Sequence, residues 1–270
     1  MFDYHVHTSF SADSRMPMEK ACQEAVDKGI QEIAFTEHVD YFYPDSTFVW
    51  EFDYDQYRAA VEKLQQTFQN KLTILKAVEI GMHPQSHNKN RQFVQENEFD
   101  FIIGSVHIVD DLDLHNGDFF KEKTIDDALR IYFETVNRLV KEYADFHVLG
   151  HLDLIKRYVH HLQYQVEGIN WRKYDDIIED TLKHLIETGR GIEINMSGYR
   201  YRIDCALPDL PIVSLYKQLG GEIITIGSDA HTPSYIGRYF NVGFRLLHQA
   251  GFKYVSVFRN GQPQFVPCPA

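Results

Sequence analysis

Phe2-Asp3-Tyr4-His5-Val6-His7 opens the chain with a short β-forming run that delivers two histidines, separated only by Val6. In a strand, residues i and i+2 point to the same face, so both imidazoles can reach one point. The design recurs. Further candidate strands lie at 32–36, 72–80, 99–106, 146–150, 191–195 and 222–227, rich in Val, Ile and Phe and usually closed by polar residues or Gly. The second runs into Glu37 and His38, and the third contains Glu79 near its end. The fourth ends at Ser105 and His107, the fifth at His151, and the seventh at Asp229 and His231.

Helical patterns separate these strands. Residues 17–28 start with Pro17 and stop before Gly29. Residues 54–69 and 124–143 repeat apolar side chains at the spacing of one helical face. Residues 174–188 and 210–219 are followed by Gly189 and Gly220. Alternation of strand and helix predicts a parallel sheet. The predicted fold is a single domain spanning 1–270, an α/β barrel of the TIM-like type. A doubly wound open sheet fits the alternation equally. In barrels the C-terminal strand edge builds the active site, and His or carboxylate falls on that edge six times. Residues 40–52 and 110–123 read as loops over one face. Residues 253–266 read as a hairpin around Asn260-Gly261.

The donor set points to metal. Imidazoles suit zinc, iron or manganese, and carboxylates add harder or bridging positions. His5, His7, Asp13, His38, Glu79, His107, His151, Asp229 and His231 are too many donors for one ion and about right for three. Glu37, beside His38, is read either as orienting a ligand through a hydrogen bond or as a solvated carboxylate.

The chain has 270 residues, 14 of them histidine, and a formal net charge of −12. An acidic balance argues against nucleic acid or an anionic membrane as the main partner. No apolar run approaches the roughly 18 residues of a transmembrane helix. The start has neither a basic nor an apolar leader region, so no signal peptide is expected and a cytoplasmic location is. Cys22, Cys205 and Cys268 are far apart and predict reduced thiols.

The motifs His5-x-His7, Thr36-Glu37-His38, Glu79, Ser105-Val106-His107, His151 and Asp229-x-His231 resemble the PHP (polymerase and histidinol phosphatase) superfamily. Ala77–Gly81, Asp100–His107, His151–Arg157 and Glu193–Arg200 are similar to its monofunctional histidinol-phosphate phosphatases. The resemblance implies a distorted (β/α)7 barrel with three divalent ions. It implies one metal on His5, His7, Glu79 and Asp229, with Glu79 bridging to a second held with His107 and His151. Asp13, His38 and His231 would hold the third. It further implies a small phosphorylated substrate, L-histidinol phosphate, with another phosphate ester (a nucleotide, a sugar phosphate or phosphotyrosine) or a non-catalytic metal-binding module as the alternatives. Water bridging such ions ionises near neutral pH, and the ions neutralise phosphoryl oxygens. Arg157 and Arg200 are the expected phosphate contacts, with a surface salt bridge as the alternative role. Arg202 is the alternative to Arg200. Asp229 and His83 are the candidate proton donors to the leaving group. The aromatic residues of 40–52 read as a packed loop that could close over the ligand's imidazole.

Overall fold

Strand and helix alternate as the periodicity predicts, in a computed structural model that describes residues 1–162 and 169–269. The strands are β1 (Phe2–Val6), β2 (Glu32–Val39), β3 (Thr73–Gly81), β4 (Phe101–Ser105), β5 (Val148–Leu149), β6 (Gly191–Asn195) and β7 (Ile224–Gly227). They pair in chain order, and every pairing is parallel. A doubly wound sheet would reverse its strand order, so that alternative falls. The ends of the sheet meet where the His7 N–H donates to the Ala230 carbonyl at 3.0 Å. The result is a nearly closed seven-stranded barrel.

The helices are α1 (Met18–Asp27), α2 (Tyr54–Thr67), α3 (His87–Glu96), α4 (Ile125–Glu142), α5 (Ile155–His161), α6 (Asp175–Glu187), α7 (Ser197–Arg200), α8 (Leu210–Gln218) and α9 (Phe240–Gln249). Asp53, Thr124 and Asp209 cap α2, α4 and α8 by accepting the backbone N–H three residues on. The predicted fifth strand shrinks to two residues. The loop at 110–123 contributes Leu112–Asp113, which pairs with Ile108–Val109, and a 3-10 turn at Asp118–Phe120. No helix among the described residues is long and apolar enough to cross a membrane.

The barrel interior is divided along its axis. Its lower part is apolar, with Tyr4, Ala34, Leu75, Ala77, Phe101, Ile103 and Val148 packed together. The predicted hairpin forms β8 (Tyr254–Arg259) and β9 (Gln262–Pro267). Asn260 and Gly261 both take positive φ, as a two-residue turn of this kind requires. Val257 and Phe258 from this hairpin plug the lower mouth. The Phe258 ring lies 4.8 Å from Phe101, centroid to centroid.

A bulge in β1 joins this floor to the polar upper end. Asp3 pairs with Ile33 and Val6 with Phe35, so β1 spends one extra residue there. Tyr4 packs into the floor while His5, its neighbour, reaches the side chains above it.

Phe258 is 1% exposed. Phe258→Ala is expected to cost about 3–5 kcal/mol of unfolding free energy in a urea titration. A loss below about 1 kcal/mol would contradict the plug.

Candidate metal centre

The upper strand ends bring the predicted donors to one place. Glu79, fully buried on β3, stands at the middle. Its Oε1 lies 2.9 Å from His151 Nε2 and 3.4 Å from His107 Nε2. Its Oε2 lies 3.1 Å from His5 Nε2, 3.4 Å from His7 Nε2 and 3.2 Å from His38 Nδ1. Asp229 Oδ1 lies 3.8 Å from His7 Nε2. Asp13, on the loop after β1, lies 2.8 Å from His231 Nε2 and 3.8 Å from His38 Nε2. The structure therefore assembles all nine residues, from six strand exits and one loop.

The donor set fits divalent cations. Four overlapping groups place their ligand atoms within 4.8 Å of one another: His7/His38/His231, His5/His7/Asp229, His5/Glu79/His151 and His38/Glu79/His107. His5 Nε2 and His7 Nε2 face each other at 3.0 Å. Two imidazole lone pairs aimed at one point are the arrangement a shared cation satisfies.

Charge and burial favour the ligand form of Glu79, Asp229 and His7, while, against burial, Glu193, Asp13, Asp40 and Glu79 raise His5, His38 and His107 toward a protonated form whose proton a bound metal would displace. Burial would raise the Glu79 carboxyl, but His5, His38 and His107 outweigh it and hold the group well below the usual carboxylate range. Asp229 is lowered in the same way, its burial outweighed by His5, Arg157 and Arg200. Burial, then the charges of His38 and His231, keep His7 well below 6.5 and so neutral.

A second layer aims the imidazoles. Asp40 sits between His107 Nδ1 (2.8 Å) and His38 Nδ1 (3.3 Å). Glu193 on β6 lies 2.6 Å from His5 Nδ1, and its other oxygen accepts the His151 N–H at 3.0 Å. Ser105 Oγ donates to Glu79 Oε1 at 2.6 Å. Partners on Nδ1 leave Nε2 of His5 and His107 facing the centre. Glu37 is buried, not solvated. It accepts from the Thr8 N–H and the Thr8 and Ser11 hydroxyls, and Ser11 Oγ lies 3.2 Å from His7 Nδ1.

Asp40 and Glu193 carry no metal-spacing motif, so the sequence assigns them no role. The available signal was a carboxylate inside an apolar strand, at Gly191-Ile192-Glu193-Ile194. Glycines make room for both. A Cβ on Gly81 would lie 1.8 Å from Asp40 Oδ1, and one on Gly227 would lie 2.4 Å from Glu193 Oε1.

The two arginines sit beside the cluster. Arg157 lies on α5 and is buried. Its Nη2 donates to Asp229 Oδ2 at 2.9 Å and to Ser197 Oγ. Arg200 Nη1 donates to the Asp229 carbonyl at 2.7 Å. A positive φ at Asp229 turns its backbone so that carbonyl and carboxylate each meet an arginine. Arg202 also has positive φ and is exposed, which leaves Arg200 as the inward arginine. A cavity of about 280 Å³ opens over the cluster. Both arginines line it, with Tyr43, Phe48 and Trp50 from the 40–52 loop and with His115, Tyr158 and Tyr201. The aromatic loop is thus part of the wall, and His115 joins it despite lying on no strand end. His83 does not line it. Its Nε2 pairs with Asp111 Oδ1 at 2.8 Å, which removes the basis for a proton-donor role.

Fold and centre together define a barrel enzyme architecture built around clustered divalent-metal donors. The PHP domain profile matches residues 3–197, and the chain belongs to this family. It is 33% identical over 254 residues to a probable histidinol-phosphatase of Clostridium acetobutylicum, covering 94% of this chain and 95% of that one. It is similar to a crystal structure of histidinol phosphate phosphatase from Lactococcus lactis complexed with Zn, L-histidinol and phosphate. That match has a TM-score of 0.88 and 28% identity, covering 97% and 98% of the two chains. A structure of metal-dependent tyrosine phosphatases from Bacillus subtilis and Streptococcus pneumoniae shares the fold, with a TM-score of 0.51 and 16% identity over 92% and 87% of the chains.

Glu193→Gln removes the charge behind His5 while preserving shape. It is expected to weaken metal affinity by about 10–100-fold in a chelator-competition titration. Unchanged affinity would contradict the role given to Glu193.

Proposed function

We propose that this chain hydrolyses L-histidinol phosphate to L-histidinol and phosphate, using about three divalent ions held by the nine converging residues. The observation that carries the reading is the placement of two guanidinium groups on Asp229, the buried Arg157 and the partly buried Arg200, immediately beside the histidine cluster. A carboxylate cluster alone would repel a phosphate dianion. Metal ions on the cluster, zinc, iron or manganese, would supply charge neutralisation and a nucleophile at neutral pH. His5, His7, Glu79 and Asp229 would hold one ion, Glu79 with His107 and His151 a second, and Asp13, His38 and His231 a third. The two oxygens of Glu79, each facing a different group of imidazoles, support this division.

The chain's own side chains do the rest. Arg157 and Arg200 bind phosphoryl oxygens with planar forks of N–H donors. Asp229 holds both guanidiniums in place. Its carboxyl lies well below the usual range, against the burial that opposes this, so it acts as ligand and anchor rather than as proton donor. Tyr43 and Trp50, tilted by 31° with centroids 4.5 Å apart, give the cavity an aromatic wall that suits an imidazole ring. The Lactococcus lactis relative, seen with L-histidinol and phosphate, supports the choice of substrate. A small, phosphorylated, non-nucleic-acid partner also suits a chain of net charge −12.

The test is a phosphate-release panel of L-histidinol phosphate, a nucleoside monophosphate, a sugar phosphate and phosphotyrosine. L-histidinol phosphate is expected to give a kcat/KM at least about 100-fold above the others, the discrimination that polar and aromatic recognition supports. Comparable rates on all four would overturn the substrate while leaving a phosphatase.

A further inference from the structure

Tyr201 follows Arg200 in sequence, yet its ring serves both arginines. The Arg157 guanidinium carbon lies 4.5 Å from the ring centroid and that of Arg200 lies 5.0 Å away. The two arginines come from separate helices, α5 and α7. They approach the same carboxylate oxygen, with Arg157 Nη2 2.9 Å and Arg200 Nη2 3.8 Å from Asp229 Oδ2. Two cations drawn to one anion repel each other, and the proposed metal would draw on that anion too. The face of an aromatic ring offers a second, uncharged surface of negative potential.

Other features separate a platform from ordinary packing. Tyr201 is 39% exposed and lines the cavity, so core filling does not explain it. Nε of Arg157 and Nε of Arg200 are buried with no acceptor among the described residues. Hydrogen bonds therefore do not fix the guanidinium planes on every side. Arg200 has a second ring under it, Tyr235 at 5.2 Å. Arg157 has only Tyr201 among the described residues.

We propose that Tyr201 is a positioning residue, a shared platform that holds the two guanidiniums at the spacing that grips a phosphate group. This rests on Arg157 and Arg200 being the phosphate contacts. Its effect falls on phosphate affinity, and the ring rather than the hydroxyl carries it.

The experiment compares Tyr201→Leu, Tyr201→Phe and Arg157→Ala, reading KM and kcat for L-histidinol phosphate and competitive inhibition by inorganic phosphate. Tyr201→Leu is expected to weaken phosphate inhibition and raise KM by about three- to tenfold, a larger change than in kcat. Tyr201→Phe is expected to recover most of that loss. If Arg157→Ala weakens phosphate inhibition and Tyr201→Leu does not, the platform is overturned alone. If neither does, the arginine reading fails and takes the platform with it. A Tyr201→Phe variant as weak as Tyr201→Leu would move the role to the hydroxyl and overturn the platform.

Discussion

The carboxylate of Glu79 sets the terms for the upper half of the barrel. It is fully buried, and a buried charge costs several kcal/mol unless it is paired. Five imidazoles reach it, from β1, β2 and the turns after β4 and β5. The curved parallel sheet brings these separate chain segments to one inward-pointing oxygen pair. Divalent ions held by these imidazoles would supply the positive charge that makes its burial tolerable. Asp40 and Glu193 then fix the imidazoles from behind, so the centre is organised in two layers of alternating charge.

The lower half of the barrel makes that arrangement rigid. Tyr4, Phe101 and Phe258 fill the floor and hold the strands at a fixed separation. The β1 bulge lets one strand serve both halves, with Tyr4 in the floor and His5 at the centre. A barrel that packs its floor with rings and caps it with a hairpin leaves its upper mouth free for chemistry. The same division explains why an acidic protein can take an anionic substrate. The charge that matters is local: two guanidiniums and the proposed metal ions would offset the carboxylates that line the cavity.

Much of this was legible in the sequence because strands have a period of two and end abruptly. His5-Val6-His7 and Asp229-Ala230-His231 carry their geometry in their spacing. What the sequence hid were contacts made across the barrel. Glu193 reads as one carboxylate in an apolar strand, and only β6 lying near β1 shows that it backs His5. Asp40 is placed by the glycine opposite it, Gly81, rather than by any motif. Helix α3 escaped notice because Asn90 is its one buried residue, so no apolar stripe marks it. Helix α9 is preceded by Tyr239 in a left-handed conformation that offers no side-chain cap, so no N-terminal signal announces it. His83, a candidate proton donor in the sequence, pairs with Asp111 away from the cavity.

The nine converging residues are proposed to hold the metals that make this chain a phosphatase. The most direct test is elemental analysis of the purified protein and of His107→Ala, with phosphate release measured on the same samples. About three divalent ions per chain are expected, with metal content and activity falling together in His107→Ala. A parent protein that turns over substrate with no bound metal, or a His107→Ala variant with full metal content and full activity, would contradict it.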